Sequence, residues 1–130
     1  MGDADKATEN QLMQEGLGEN TILKIGDHGD AAATSQEFLE QINPEAVVIM
    51  TGKGNQDGHP DLETLKTLNE SGVFQVYQTM NDGTIIISTD GNDYFVTKKL
   101  MPESDMSEMD TAGTSSAAKT AKILFQTAGT

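Results

Sequence analysis

Asp27-His28-Gly29-Asp30 sets one imidazole between two carboxylates in a glycine-bracketed loop. Imidazole and carboxylate are donors that divalent ions take, and the same groups can position a phosphate. The cluster directly follows the short apolar run Ile22-Leu23-Lys24-Ile25-Gly26. In α/β proteins, polar groups at the carboxyl end of a strand sit where ligands bind. A second segment, Gly52-Lys53-Gly54-Asn55-Gln56-Asp57-Gly58-His59-Pro60, ends the next apolar run in the same way. The two histidines of the chain, His28 and His59, therefore stand at the ends of successive expected strands.

Each motif also has a plainer reading. The Asp27–Asp30 cluster fits a polar turn that caps a following helix, and His59 before Pro60 fits a turn residue at a helix start. Asp3, Asp27, His28 and Asp30 together offer at most four donors, and a transition-metal site wants three or four. Lys53-Gly54-Asn55 is not a P-loop, because the lysine opens the loop and the Gly-x-x-x-x-Gly-Lys-Ser/Thr spacing is missing. Asp82-Gly83 and Asp90-Gly91 read as hairpin-type turns, and neither is followed by the glutamate of an EF-hand. With two histidines and no cysteine, no Ser/His/Asp or Cys/His nucleophile set can be argued.

The elements that must hold these residues alternate. A first helix is expected over 4–16, capped by Asp3 or Asp5 and ended by Gly16 and Gly18, with Ala4, Ala7, Leu12 and Met13 as a weak apolar stripe. A short strand follows at 21–25. Thr34-Ser35-Gln36-Glu37 reads as a capping box for a second helix with Phe38, Leu39 and Ile42 facing inward, closed by Pro44. Ala46 to Met50 is a continuous, β-branched run, as for a strand covered on both faces. Pro60 opens a third helix lined by Leu62, Leu65 and Leu68 and stopped by Gly72. A third strand is expected at 73–78, and 84–88 with 93–97 form a hairpin around Thr89-Asp90-Gly91-Asn92. The fold class is α/β: a mixed sheet with parallel strands joined by helices, and the C-terminal β-hairpin added antiparallel at one edge. Residues 1–99 form the domain, and 100–130 read as an acidic, Ser/Thr-rich flexible tail with a short helix at 117–126.

The formal net charge of −13 opposes a general nucleic-acid-binding module, because the chain is repelled by phosphates unless a metal or local lysines intervene. The absence of cysteine removes disulfides and thiolate chemistry and leaves the compartment unread. Met1-Gly2-Asp3-Ala4-Asp5 has no signal-peptide character, and no apolar run approaches the ~18–20 residues that span a bilayer. Localisation stays open, a membrane-bound parent included.

As a combination, the motifs resemble a family. Leu23-Lys24-Ile25-Gly26-Asp27-His28-Gly29, Thr34-Ser35-x-x-Phe38-Leu39, Pro44 and Gly52-Lys53-x-Asn55-x-x-Gly58-His59-Pro60-x-x-x-Thr64-Leu65 are similar to the metallo-β-lactamase-fold domain of ComEC-type competence proteins. Gly83-Thr84-Ile85, Ser88-x-Asp90-Gly91 and the opening Gly2-Asp3-Ala4 continue the likeness over roughly residues 2–97.

The resemblance implies the C-terminal half of an αββα sandwich, whose parent is a metal-dependent hydrolase acting on phosphodiesters during DNA uptake. It implies a divalent metal, zinc or manganese, with Asp3 as the bridging-type ligand and His28 as the imidazole ligand. Asp27 and Asp30 are further candidate ligands, and Lys53, Asn55 and His59 form a substrate loop. Asp27 and Asp30 stand where the family has a histidine and a serine. The family's His-x-His-x-Asp-His run is absent from this sequence, so the metal is expected to be weakly held or absent. An oxygen-rich remnant would prefer manganese, magnesium or calcium to zinc. The expected partners are the missing N-terminal half of the domain and, by resemblance alone, DNA, with no membrane contact by this segment. Two functions stay open: a piece of a metal-dependent hydrolase that is inactive alone, or a non-catalytic scaffold or interaction module that kept the fold and lost the site. No catalytic residue is assigned.

Overall fold

The computed structural model describes residues 1–100, 110–115 and 123–124. Its elements run α1 (Lys6–Gln14), β1 (Ile22–Lys24), α2 (Gln36–Ile42), β2 (Ala46–Ile49), α3 (Leu62–Glu70), β3 (Gln75–Gln78), α4 (Thr79–Asp82), β4 (Thr84–Thr89), β5 (Tyr94–Leu100), β6 (Asp110–Ser115) and β7 (Ile123–Leu124). A short 3-10 turn spans Asp27–Gly29 between β1 and α2. The architecture is α/β, with a parallel sheet in the order β3-β2-β1-β7 and an antiparallel sheet in the order β4-β5-β6.

The parallel strands are short and apolar because both faces are covered. Leu23, Ile25, Val47 and Ile49 face the helices and pack with Phe38, Leu39, Ile42, Leu68 and Val73. Ile22, Ala46, Val48 and Tyr77 face the other way and pack with Tyr94 and Val96, with Ile85 and Ile87 half-buried beside them. Strand alternation alone assigns the two sets. All four residues of β2 are buried, as expected for the central run.

The hairpin departs from expectation in where it sits. It lies across the face of the parallel sheet as part of its own sheet, instead of extending one edge. The reason is its alternation. Tyr94 and Val96 are buried while Phe95 between them is exposed, so the ribbon has one apolar face to cover and finds it on Ile22, Ala46 and Val48.

Helix details differ as well. Ser35, not Thr34, caps α2 and accepts from the Phe38 amide. The carboxylate expected from Glu37 comes from Glu9 of α1, which accepts from the Thr34 amide at 2.6 Å and the Ser35 amide at 2.8 Å. Glu9 thus does from another helix what the third residue of a capping box does locally. Asp5 caps α1, which begins at Lys6, so Ala4 is buried ahead of the helix while Ala7 on it is exposed. In α3 the inward residues are Thr64 and Leu68, with Leu65 half-buried, whereas Leu62 is 81% exposed. Asn43, in the left-handed conformation, ends α2 immediately before Pro44.

The tail and helix read for 100–130 lie largely outside the described residues. Within that stretch the backbone forms β6, antiparallel to β5, and β7, parallel to β1. Among the described residues, no helix is long and apolar enough to cross a membrane.

Candidate functional site

The chain leaves β1 into a left-handed turn. Asp27, His28 and Gly29 all have positive φ, at 43°, 53° and 85°. Two adjacent non-glycine residues in this region cost of order 1–3 kcal/mol each, and such strain clusters at functional sites. Aspartate and histidine are among the side chains that tolerate it best. The turn is enforced from both sides. A Cβ on Gly26 would meet the Ala4 carbonyl oxygen at 2.6 Å, and one on Gly29 would meet Pro60 Cβ at 2.8 Å. The Asp27 amide donates to the Gly2 carbonyl at 2.7 Å, which docks the N-terminal turn carrying Asp3 against the loop.

His28 is oriented by this frame. Its Nδ1 lies 2.8 Å from the Met50 carbonyl at the end of β2, and its Nε2 lies 3.8 Å from Asp3 Oδ1. A carbonyl accepts only, so Nδ1 donates to it, and Nε2 is left facing Asp3. Metal-binding histidines are commonly held this way, with the second nitrogen donating to a backbone carbonyl. Two donors about 2.1 Å from one tetrahedral metal sit about 3.4 Å apart, so the observed spacing is within a few tenths of an ångström of a shared ion. Among the described residues, however, no group of three His, Cys, Asp or Glu side chains converges as a metal-holding set.

Asp30 points elsewhere. Its Oδ1 accepts from the Ala32 amide at 2.6 Å, and its Oδ2 lies 3.7 Å from His59 Nε2. The Thr64 hydroxyl donates to the Asp30 carbonyl, and the Asp61 amide donates to the Gly29 carbonyl, which ties the two loops together. Asn55 folds the second loop on itself. Its Nδ2 donates to the carbonyls of His59 (2.7 Å) and Gly52 (3.0 Å), and its Oδ1 accepts from the His59 amide (2.8 Å). Asn55 therefore shapes the loop, with its amide already spent on backbone. Lys53 is exposed on the same loop and does not line the pocket.

An open pocket of about 220 Å³ lies between the loops, lined by His28, Thr51, Gly52, Asn55, Asp57 and His59. Two residues of this lining each hold a polar atom, Thr51 Oγ1 and His59 Nδ1, that is buried away from the pocket space with no hydrogen-bond partner among the described residues. Such groups cost roughly 1–3 kcal/mol each when left unpaired.

The sequence residues thus form two pairs, Asp3 with His28 and Asp30 with His59, joined through one pocket. Asp27 turns its backbone into the loop, and its carboxylate lies near Lys24. Lys24 was not singled out from the sequence. Burial of this half-buried ammonium pushes its pKa down, opposed by the Asp3 and Asp27 carboxylates, and its Nζ donates to the Ile25 carbonyl. Lysine inside an apolar strand pattern reads as a solvated edge, so only the fold reveals that it sits beside two acids. Thr51 belonged to no motif, and Asp57 stood in the glycine-rich loop without a role assigned to it.

Two curated proteins align with this chain. It is 33% identical over 85 residues to ComE operon protein 3 of Bacillus subtilis, covering 65% of this chain and 11% of that protein. It is 31% identical over 68 residues to Recombination protein 2 of Haemophilus influenzae, covering 52% of this chain and 8% of that protein. The chain thus spans about a tenth of the length of these relatives. No family model matches it, and no solved structure matches it.

Proposed function

We propose that this chain is part of a ComEC-type metallo-β-lactamase-fold domain and contributes one corner of the metal site of a phosphodiester hydrolase linked to DNA uptake. The observation that carries the reading is His28, held through Nδ1 by the Met50 carbonyl with Nε2 3.8 Å from Asp3. The similarity to ComE operon protein 3 and Recombination protein 2 supports the link to DNA uptake. Asp3 and His28 would hold two positions of a divalent metal, zinc or manganese, which when bound supplies an activated water and charge neutralisation at a phosphoryl oxygen. The remaining ligands would come from another segment, the N-terminal half of the domain. The residues of this chain orient the imidazole, fix its tautomer and brace the two loops.

The test is a manganese titration of the chain followed by line broadening. Broadening concentrated at Asp3 and at His28, and abolished in His28→Ala, is expected. With two donors the affinity should be millimolar, roughly −4 kcal/mol. Even broadening over the acidic surface would overturn the metal reading.

A second reading, a scaffold or interaction module without metal chemistry, draws on Asp30. Its carboxylate is engaged by the Ala32 amide and faces His59, which is a structural use of a residue at the site. The same titration separates the two.

A further inference from the structure

The peptide that holds His28 is itself held from its other side. The Met50 carbonyl and the Thr51 amide belong to one planar trans peptide unit and point in opposite directions. His28 Nδ1 lies 2.8 Å from that carbonyl, and the Thr79 hydroxyl accepts from that amide at 2.9 Å. The hydroxyl's own proton goes to the Thr51 carbonyl at 2.8 Å, so a lone pair is what faces the amide. One side chain thus engages both backbone groups of Thr51. The Thr79 backbone is not placed to do this. The rungs between β2 and β3 end with Ile49 opposite Gln78, and at Thr79 the chain turns into α4. The Thr79 hydroxyl supplies the rung that the turning backbone cannot.

That rung falls where the chain most needs one. Gly52 and Gly54 follow Thr51 in an exposed loop, and glycine backbone turns freely unless it is pinned. Thr79 is anchored by contrast. It opens α4, and Asp82 at the end of α4 accepts from the Gln78 amide and from Lys98 Nζ, both at 2.8 Å. Hydrogen bonds in a chain also polarise one another, so an acceptor at the Thr51 amide makes the carbonyl of the same peptide a better acceptor. We infer that Thr79 is a positioning residue for the metal corner: through the Met50–Thr51 peptide it aims the carbonyl that accepts from His28 Nδ1, and so sets Nε2 toward Asp3. The value of this to a metal rests on the metal reading above, whereas the hold on the imidazole stands without it.

The full chain is labelled with nitrogen-15, and imidazole shifts are read without metal at a pH where the ring is neutral. In the parent chain His28 should be in the Nδ1–H form, and the Thr51 amide should exchange with solvent far more slowly than those of Lys53 and Gly54. Thr79→Val keeps the shape of the side chain and removes the hydroxyl. It should shift His28 toward the Nε2–H form by about 2–10-fold, the range of one net hydrogen bond, and weaken manganese broadening at His28 over the same range. Thr79→Ser should restore both. Val96→Ala, a core change that removes no group bonded to this peptide, should keep the parent's tautomer ratio. Unchanged imidazole shifts in Thr79→Val, no rescue by Thr79→Ser, or an equal shift in Val96→Ala overturns the assignment. So does a fast-exchanging Thr51 amide or an Nε2–H imidazole in the parent chain, readings that decide the matter even where Thr79→Val does not fold. Manganese broadening localised at Asp3 and His28 in the parent, with imidazole shifts unmoved in Thr79→Val, strikes the positioning role alone. Shifts that move as expected while manganese broadens the acidic surface evenly strike the metal reading alone.

Discussion

His28 and His59 were legible from residue type and position: imidazoles at the ends of two apolar runs, each beside glycine. The resemblance set His28 with Asp3; the pairing of Asp30 with His59 is what the sequence did not give. The spacing grouped Asp27, His28 and Asp30 as one cluster, but the left-handed turn sends His28 to Asp3 and Asp30 to His59. The run of positive φ at 27–29 sits between close approaches of Ala4 to Gly26 and Pro60 to Gly29, which are contacts distant in the chain. Glu9 was illegible for the same reason. It is a glutamate in a polar helix, yet it is 1% exposed because its acceptors meet the start of α2. Glu9→Ala should cost about 1–3 kcal/mol by orphaning the buried Thr34 amide and the half-buried Ser35 amide, measured by urea unfolding. Burial pushes the Glu9 pKa up, against the opposing pull of the Ser35 and Thr34 amides. A carboxyl raised in the folded state contributes its full stability below the ordinary carboxylate range and loses it as pH rises through the raised value. Stability should therefore fall less steeply toward neutral pH in Glu9→Gln than in the parent chain. Parallel pH profiles would refute the assignment.

At the level of elements, periodicity served well where an element was long or fully buried and poorly where partner choice mattered. The β2 run, the Phe38-Leu39-Ile42 face of α2 and the Asp90-Gly91 turn all appear as read. The sheet that the hairpin joins was not readable, because alternation fixes which face is apolar and says nothing of what covers it. Leu62 shows the matching limit in helices: it keeps the spacing of Leu65 and Leu68 but falls at the first residue of α3, beyond the core. The hairpin gives a direct test of face assignment. Tyr94 is 1% exposed and Phe95 is 48% exposed. Tyr94→Ala should cost about 3–5 kcal/mol, and Phe95→Ala should cost well under half as much. Comparable losses at the two neighbours, read from denaturation midpoints at constant slope, would mean that the ribbon presents its other face to the parallel sheet.

Across the whole molecule, the decisive quantity is charge set against an incomplete ligand set. A net charge of −13 gives a field that opposes the approach of a polyanion, so association with DNA cannot draw on the counterion release that drives most such binding. Lys24, the cation beside Asp3 and Asp27, already faces both of their carboxylates. Hydrolysis through a metal requires the ion in a fixed, open shell, and the described residues of this chain bring two donors to one point, not three. The isolated chain should therefore bind duplex DNA negligibly without metal even at low salt, gain weak binding on addition of manganese, and cleave nothing. Fluorescence anisotropy with a labelled duplex and a gel assay over hours read the three outcomes. Because the manganese-dependent binding is expected to bridge carboxylate, ion and phosphate, it should decline with added salt and disappear in Asp3→Ala. Sustained manganese- or zinc-dependent cleavage by the chain alone, lost in Asp3→Ala or His28→Ala, would place a complete metal shell within these 130 residues and defeat the proposal that the missing ligands come from another segment.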